Sequence, residues 1–476
     1  MEYDVTIGIE IHCQLKTNTK MFSGAPTSFG RKANTCVNEV DLGHPGSMPQ
    51  VNEEAVRKAV MACTALHLTV DPLVKFDRKN YYYSDLPKGF QITQQFHPIG
   101  RDGYVEIDTA EGLKKIRIER IHMEEDTAKQ FHLNKITLLD YNRAGTPLIE
   151  LVSKPDMHNG AEAEAYVEAL RQTLYYIGVS DCKMEEGSMR CDVNVSIAPK
   201  GAEHLGTKNE IKNLNSISHI GKAVDYEVER QKKLLEAGEK VIQETRRFDE
   251  KTGTTIMMRR KEGNVDYKFF PEPNILPIQL SENWIKEIQA EMPELPSARK
   301  QRYERDYGLS DHDIRVLISN KEMSDFFEQV VKYTNNAKSA CNWLLSDVSA
   351  WLNTKEKTID KCDLKPEMLA KLIAMIDNGK ISNAQAKQLT EDLMTGKDPE
   401  HSAEEKGLQQ VSDTDAIAAM VNEVMDANPQ AIEDFRNGKD RAVGFLTGQV
   451  MKKSKGRANP GLVNTQIREE LQKRIG

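Results

Sequence analysis

Four short stretches of this chain place acidic or imidazole side chains at alternate positions between apolar ones. In Gly8-Ile9-Glu10-Ile11-His12-Cys13-Gln14 a period of two sets Glu10, His12 and Gln14 on the face opposite Ile9 and Ile11. The run from Ile116-Arg117-Ile118 to His122-Met123-Glu124-Glu125-Asp126 alternates as well, but slips near Glu119 and Arg120, which predicts a bulge there. Cys191-Asp192-Val193-Asn194-Val195 presents Asp192 and Asn194, and Lys208-Asn209-Glu210-Ile211-Lys212 presents Glu210 and Lys212. Any one of these rows reads as the wet face of an antiparallel sheet. Together they are candidates for a single metal-and-phosphate site. Two carboxylates ~4 Å apart repel by ~1 kcal/mol in water but by ~4 kcal/mol at an effective dielectric of ~20, so a partly enclosed cluster calls for a cation. Oxygen ligands with one imidazole suit Mg²⁺ or Mn²⁺, and the dispersed cysteines argue against a thiolate zinc site.

Basic partners for a phosphate lie in Arg78-Lys79-Asn80-Tyr81-Tyr82-Tyr83-Ser84-Asp85-Leu86-Pro87-Lys88-Gly89, where Lys79 and Lys88 flank an aromatic run. That run reads equally as a half-buried strand with solvated edges. Beside a metal, the same lysines could neutralise phosphate oxygens. The chain has no Walker A loop, Rossmann glycine fingerprint, nucleophile elbow or HExxH helix. Carboxylates, an imidazole and basic side chains remain. They fit phosphoryl transfer, which needs positioning and charge neutralisation more than a covalent nucleophile.

These residues need a scaffold. At 476 residues the chain accommodates two or three domains. Residues 1–293 mix strand-like runs, turns and a few helices, such as 161–177 and 220–235, which predicts an α+β domain built on an antiparallel sheet. The prolines of Glu291-Met292-Pro293-Glu294-Leu295-Pro296 mark a boundary. Residues 294–407 then read as all-helical, with helical periodicity over 297–307, 324–353 and 365–394, a cap at Ser382 or Asn383, and a polar linker over 395–407. Residues 408–476 read as a small helical tail domain. Hydrophobic residues at 39% and charged residues at 29% are ordinary for a soluble protein, and seven cysteines without a CxxC pair fit a reducing, cytoplasmic compartment. The formal net charge of −8 argues against nonspecific coating of nucleic acid. A local basic run nevertheless occurs at Arg436, Lys439, Arg441, Lys452, Lys453, Lys455 and Arg457, set against Asp440 alone. Alone it is more often a solvated helix face than an RNA footprint.

Several motifs also resemble one family. They are the 8–15 and 78–91 stretches, Asp140-Tyr141-Asn142-Arg143-Ala144-Gly145-Thr146-Pro147-Leu148-Ile149-Glu150, Glu185-Glu186-Gly187-Ser188-Met189-Arg190-Cys191-Asp192, the 210–216 and 244–248 stretches, and 257–262 through 269–273. They resemble the B subunit of the aspartyl/glutamyl-tRNA(Asn/Gln) amidotransferases along essentially the whole chain. The resemblance implies a cradle-like catalytic domain that uses ATP and Mg²⁺ to phosphorylate the side-chain carboxylate of Glu-tRNA(Gln) or Asp-tRNA(Asn). Ammonia then displaces phosphate. It further implies a heterotrimer with two partner subunits, one an amidase-type glutaminase (A) and one small (C), and a C-terminal half that grips tRNA through Arg436, Arg441, Lys452, Lys453, Lys455 and Arg457. Carried onto this sequence, it makes Glu10, His12 and Glu125 the candidate metal contacts, with Glu124, Asp192 and Glu210 close by. Lys79, Lys88 and Arg190 become candidates for phosphate or substrate carboxylate. Between the adjacent Glu124 and Glu125, Glu125 is favoured. Two other readings stay open: an RNA-binding scaffold with a merely structural acidic face, and a ligase or hydrolase acting on a small free carboxylate.

Overall fold

Ile7, Ile9, Ile11 and Cys13 lie on one face of the strand Tyr3–Gln14 and are each 1% exposed or less. Burying such side chains is worth roughly 1.5–3 kcal/mol apiece, so a one-residue slip of this strand is strongly opposed. The structure, a computed structural model, describes residues 2–27, 29–260, 266–408, 414–454 and 458–475. It divides into two compact units, Met1–Pro296 and Ser297–Gly476. Among the described residues, no helix is long and apolar enough to cross a membrane.

In the first unit, nine strands among the described residues form one sheet. From edge to edge their order is Thr254–Arg260, Glu244–Asp249, Asn209–Lys212, Met189–Pro199, Tyr3–Gln14, Pro147–Ser153, Gly112–Glu125, Gly100–Thr109 and Thr69–Val70. The sheet is antiparallel, as the alternation predicts, with one exception: Asn209–Lys212 and Glu244–Asp249 run parallel. A parallel pair needs a long crossover, and the helix Ile217–Glu236 supplies it. That helix, together with Glu53–Ala65 and Gly160–Tyr176, buries its apolar residues in the same core as the sheet. Asn52 and Asn159 cap the latter two by accepting from Ala55 N and Glu162 N. The helices thus claim the face carrying Ile7, Ile9 and Ile11, and the polar rows keep the other.

The slip at Glu119 and Arg120 is present. Val152 pairs with Arg120 but the next residue, Ser153, pairs with Ile118, so the strand Gly112–Glu125 carries one extra residue. The buried set accordingly switches from Ile116 and Ile118 to Ile121 and Met123. A small sheet of Asp77–Asn80, Phe90–Thr93 and Phe270–Pro271 stands beside it.

The second unit is helical. The 324–353 periodicity is divided among Lys321–Val330, Ala337–Trp343, a wide turn at Leu344–Val348 and Ser349–Thr354. Asn336, an N-cap that accepts from Ser339 N, explains the restart. Ser382 forms a full capping box with Gln385. The expected linker 395–407 instead contains the helix Pro399–Glu405. Asp398 accepts from Glu400 N and His401 N, Pro399 occupies the first turn, and Ser402 and Ala403 are buried, which is enough to hold a polar sequence helical. Toward the C-terminus, Thr414–Asp426, Pro429–Arg436, Arg441–Lys453 and Pro460–Ile475 share an apolar cluster that includes Ile417, Val421, Leu446, Val450, Ile467 and Leu471.

Candidate active site

The open face of the large sheet carries Glu10, His12, Glu124, Arg190, Asp192 and Glu210, and strand register determines which of them meet. His12 lies opposite Glu150 on one neighbouring strand and opposite Arg190 on the other. Glu150 in turn lies opposite His122, so one row across four strands reads His122, Glu150, His12, Arg190. Glu10 pairs with Asp192, and Asn194 pairs with Glu210. Direct opposition brings Cβ atoms within ~5.5 Å, which is how residues more than a hundred positions apart come to share one site.

His12 Nε2 is 3.3 Å from a Glu150 oxygen and 3.5 Å from a Glu124 oxygen. His122 Nε2 approaches the same two carboxylates at 3.2 and 3.8 Å. One ligand atom each from His12, Glu124 and Glu150 lies within 4.8 Å of the others, a spacing that fits a single divalent cation. Glu150 was not among the residues expected at the site. Its signal is an acidic residue in the otherwise apolar run Pro147-Leu148-Ile149-Glu150-Leu151-Val152, where an unpaired charge would not be tolerated. His122 was missed for a related reason, since only the bulge turns it to this face.

Glu125 stands outside the group. The extra residue at the bulge reverses every face beyond it, so His122 and Glu124 point toward Glu150 while Glu125 follows Ile121 and Met123 to the other side. There Lys88 Nζ donates to both Glu125 oxygens at 2.5 Å, and Ile92 N donates to one of them at 2.9 Å. Lys88 is therefore committed to Glu125. Lys79 lies over the Tyr267 ring, 4.9 Å from its centroid.

A second cluster adjoins the first. Asn194 Nδ2 donates to Glu10 at 3.1 Å, while Lys212 Nζ holds Asp192 and lies 3.2 Å from Glu210. Burial pushes the Glu10 carboxyl above its usual range, and the charges of Glu150, Asp192 and Glu210 push it further. Burial lowers the basicity of both imidazoles, but Glu150 and Glu124 more than offset this. His12 therefore ends above its ordinary value and His122 at about 9. Glu150 moves the opposite way: its desolvation is outweighed by the two imidazoles, which hold it well below the carboxylate range. The protein's own charges thus leave a concentrated negative site partly neutralised by protons on imidazole. A metal cation would replace those protons.

Arg190, one-third exposed, reaches over this face with Nη2 3.0 Å from buried Asp126. In the C-terminal helices, Arg436 pairs with Glu433, Lys439 with Asp434 and Lys453 with Glu423. Arg441 and Lys452 have no ion pair among the described residues, and Lys455 and Arg457 lie outside those residues. The basic run is therefore less positive in space than in sequence.

Residues 5–286 match the family model described as the GatB/GatE catalytic domain, and residues 325–471 match the model described as the GatB domain. The chain belongs to the GatB family. It is 49% identical to the aspartyl/glutamyl-tRNA(Asn/Gln) amidotransferase B subunit of Macrococcus caseolyticus over 475 residues, covering 100% of both chains. The B subunits of Geobacillus thermodenitrificans and Bacillus velezensis are 49% and 48% identical over 476 residues, again covering 100% of both chains. GatB membership gives the polar face of the sheet its context in tRNA-dependent amidation.

Proposed function

We propose that the open face of the sheet activates the side-chain carboxylate of Glu-tRNA(Gln) or Asp-tRNA(Asn) by ATP-dependent phosphorylation. The chain is the B subunit of a tRNA-dependent amidotransferase that yields Gln-tRNA(Gln) or Asn-tRNA(Asn). It works in the cytoplasm with tRNA and with two further subunits, an amidase-type glutaminase (A) and a small third chain (C). A carboxylate is a poor electrophile at neutral pH, so amidation requires one oxygen to become a leaving group. Phosphorylation does this, and ammonia from the partner glutaminase completes the exchange.

The observation that carries the proposal is the approach of His12, Glu124 and Glu150 to within 4.8 Å of one another on a face shared with Glu10, Asp192 and Glu210. His12, Glu124 and Glu150 would hold Mg²⁺, which when bound supplies charge neutralisation for the phosphate of ATP. Glu10 and the Asp192–Lys212–Glu210 group border the position of the incoming acid, where Lys212 offsets the negative charge. Arg190 presents its remaining N–H groups to an anionic oxygen. His122 donates to Glu150 and fixes its orientation.

The test is label transfer from γ-labelled ATP in the complex reconstituted with its partners, given Glu-tRNA(Gln) and no glutamine. Transfer should depend on the aminoacyl-tRNA and disappear in His12→Ala. Turnover unchanged in His12→Ala would favour the scaffold reading. Equal phosphorylation of free glutamate would favour a ligase for small acids.

A further inference from the structure

An arginine recognises an anionic substrate best when its planar fork is preorganised, and Arg190 is paired with a buried carboxylate. A guanidinium has five N–H donors. Among the described residues, the Arg190 guanidinium has one ion pair, Nη2 to Asp126 Oδ2, and no other side-chain ion pair. Arg190 lies opposite His12 in the strand register, and the charges of Glu124 and Asp192 also act on its guanidinium. Asp126 is itself immobilised. Its backbone N–H donates to Thr146 O and its carbonyl accepts from Gly145 N, both at 2.9 Å. Oδ1 accepts from Thr127 N at 2.9 Å, and Oδ2 accepts from Gln14 Nε2 at 3.3 Å. Arg143 Nε lies 3.5 Å from Oδ2 while Arg143 donates to Thr127 O and Ala128 O at 2.9 and 3.0 Å. The carboxylate is 4% exposed, which closes it to substrate.

We infer that Asp126, braced by Gln14 and Arg143, is a positioning residue that aims the Arg190 fork at an anionic oxygen of the substrate pair. The inference rests on the proposed site. The anion is either a nucleotide phosphate or the side-chain carboxylate of the aminoacyl-tRNA, which share the same recognition chemistry. Because Asp126 acts only through Arg190, the two residues should not contribute independently.

The experiment is a double-mutant cycle in the intact complex, reading aminoacyl-tRNA-dependent ATP cleavage with KM for each substrate. Arg190→Ala should lower kcat/KM by roughly 10²–10³-fold, the usual loss for one preorganised donor group. Asp126→Asn should lower it by about tenfold or more in the parent, yet by less than about twofold in the Arg190→Ala background. Asp126→Glu, which keeps the charge, should recover part of the loss, and thermal unfolding of each complex reads out any general damage. A KM effect confined to ATP assigns the anion to phosphate, and one confined to aminoacyl-tRNA assigns it to the carboxylate. An equal loss from Asp126→Asn in both backgrounds would overturn the positioning role while leaving the site standing. Full activity in Arg190→Ala would overturn both.

Discussion

Replacing Glu150 by glutamine preserves shape and removes one charge from the centre of the site. The lost carboxylate lies 3.3 Å from His12 Nε2 and 3.2 Å from His122 Nε2, and it is the link between the two clusters, since its charge also raises Glu10. A unit charge ~4 Å from a cation is worth ~4 kcal/mol per cation charge at an effective dielectric of ~20. Desolvation of Glu150 and its repulsion with Glu10 are relieved by the same change. The net loss should be ~2–3 kcal/mol, or roughly 30- to 150-fold in divalent-metal affinity. Mn²⁺ binding to the complex, followed by the electron paramagnetic resonance of free Mn²⁺, measures it directly. Glu125→Gln is the control, because it removes a still more deeply buried charge that Lys88 already neutralises. Its affinity should stay near the parent value. Parent affinity in Glu150→Gln, or the larger loss in Glu125→Gln, would refute the assignment.

Three other outcomes follow from the same geometry. Protons and metal compete for His12, whose imidazole is held above its ordinary value, so Mn²⁺ affinity should rise with pH from the ordinary histidine range upward. Because His122 is raised from 6.5 to about 9, the stability it contributes without metal should run the other way, complete below pH 6.5 and lost through about 9; flat profiles in isothermal titration and thermal melts would contradict this. Lys20 and Asp41 form a buried pair at 3.0 Å within the segment that joins Tyr3–Gln14 to Glu53–Ala65. Lys20→Ala should therefore destabilise the chain by ~3–5 kcal/mol in urea unfolding, and Lys20→Met with Asp41→Asn should recover much of it. In the C-terminal helices, reversing the charges of Arg441 and Lys452 should weaken tRNA binding more than reversing the internally paired Arg436 and Lys439, and lower the salt slope by ~1 per lost phosphate contact. Equal slopes would remove the tail from the tRNA footprint.

Much of the site was legible because a strand alternates with a fixed period. Glu10, His12, Asp192 and Glu210 could each be assigned to the polar face of its own strand from its apolar neighbours, and the slip at Glu119 and Arg120 announced the bulge. What the pattern could not give was parity beyond that bulge. One inserted residue decides between Glu124 and Glu125, and the alternation counted without it selects Glu125. Nor does a strand encode its partners. The meeting of His122, Glu150, His12 and Arg190 depends on inter-strand register, which the whole core sets. Glu150 was hidden for this reason within an apolar strand. The helix Pro399–Glu405 was obscured by composition, since a polar segment with Gly and Pro reads as a connector until its Asp398 cap and buried Ser402 and Ala403 are seen. Gly145 shows the same dependence on context. Its φ is +83°, and a Cβ at this position would lie 2.7 Å from the Asp41 carboxylate, which leaves room only for glycine. That becomes visible only once the Lys20–Asp41 pair is placed.

The most direct measurement of the central claim is the location of Mn²⁺ by anomalous diffraction from crystals of the complex soaked with the metal and a non-hydrolysable ATP analogue. An anomalous peak is expected between His12 Nε2 and the carboxylates of Glu124 and Glu150, on the face that also holds Glu10 and Asp192. A peak seated on Glu125, or a site at which His12 and Glu150 play no part, would contradict it.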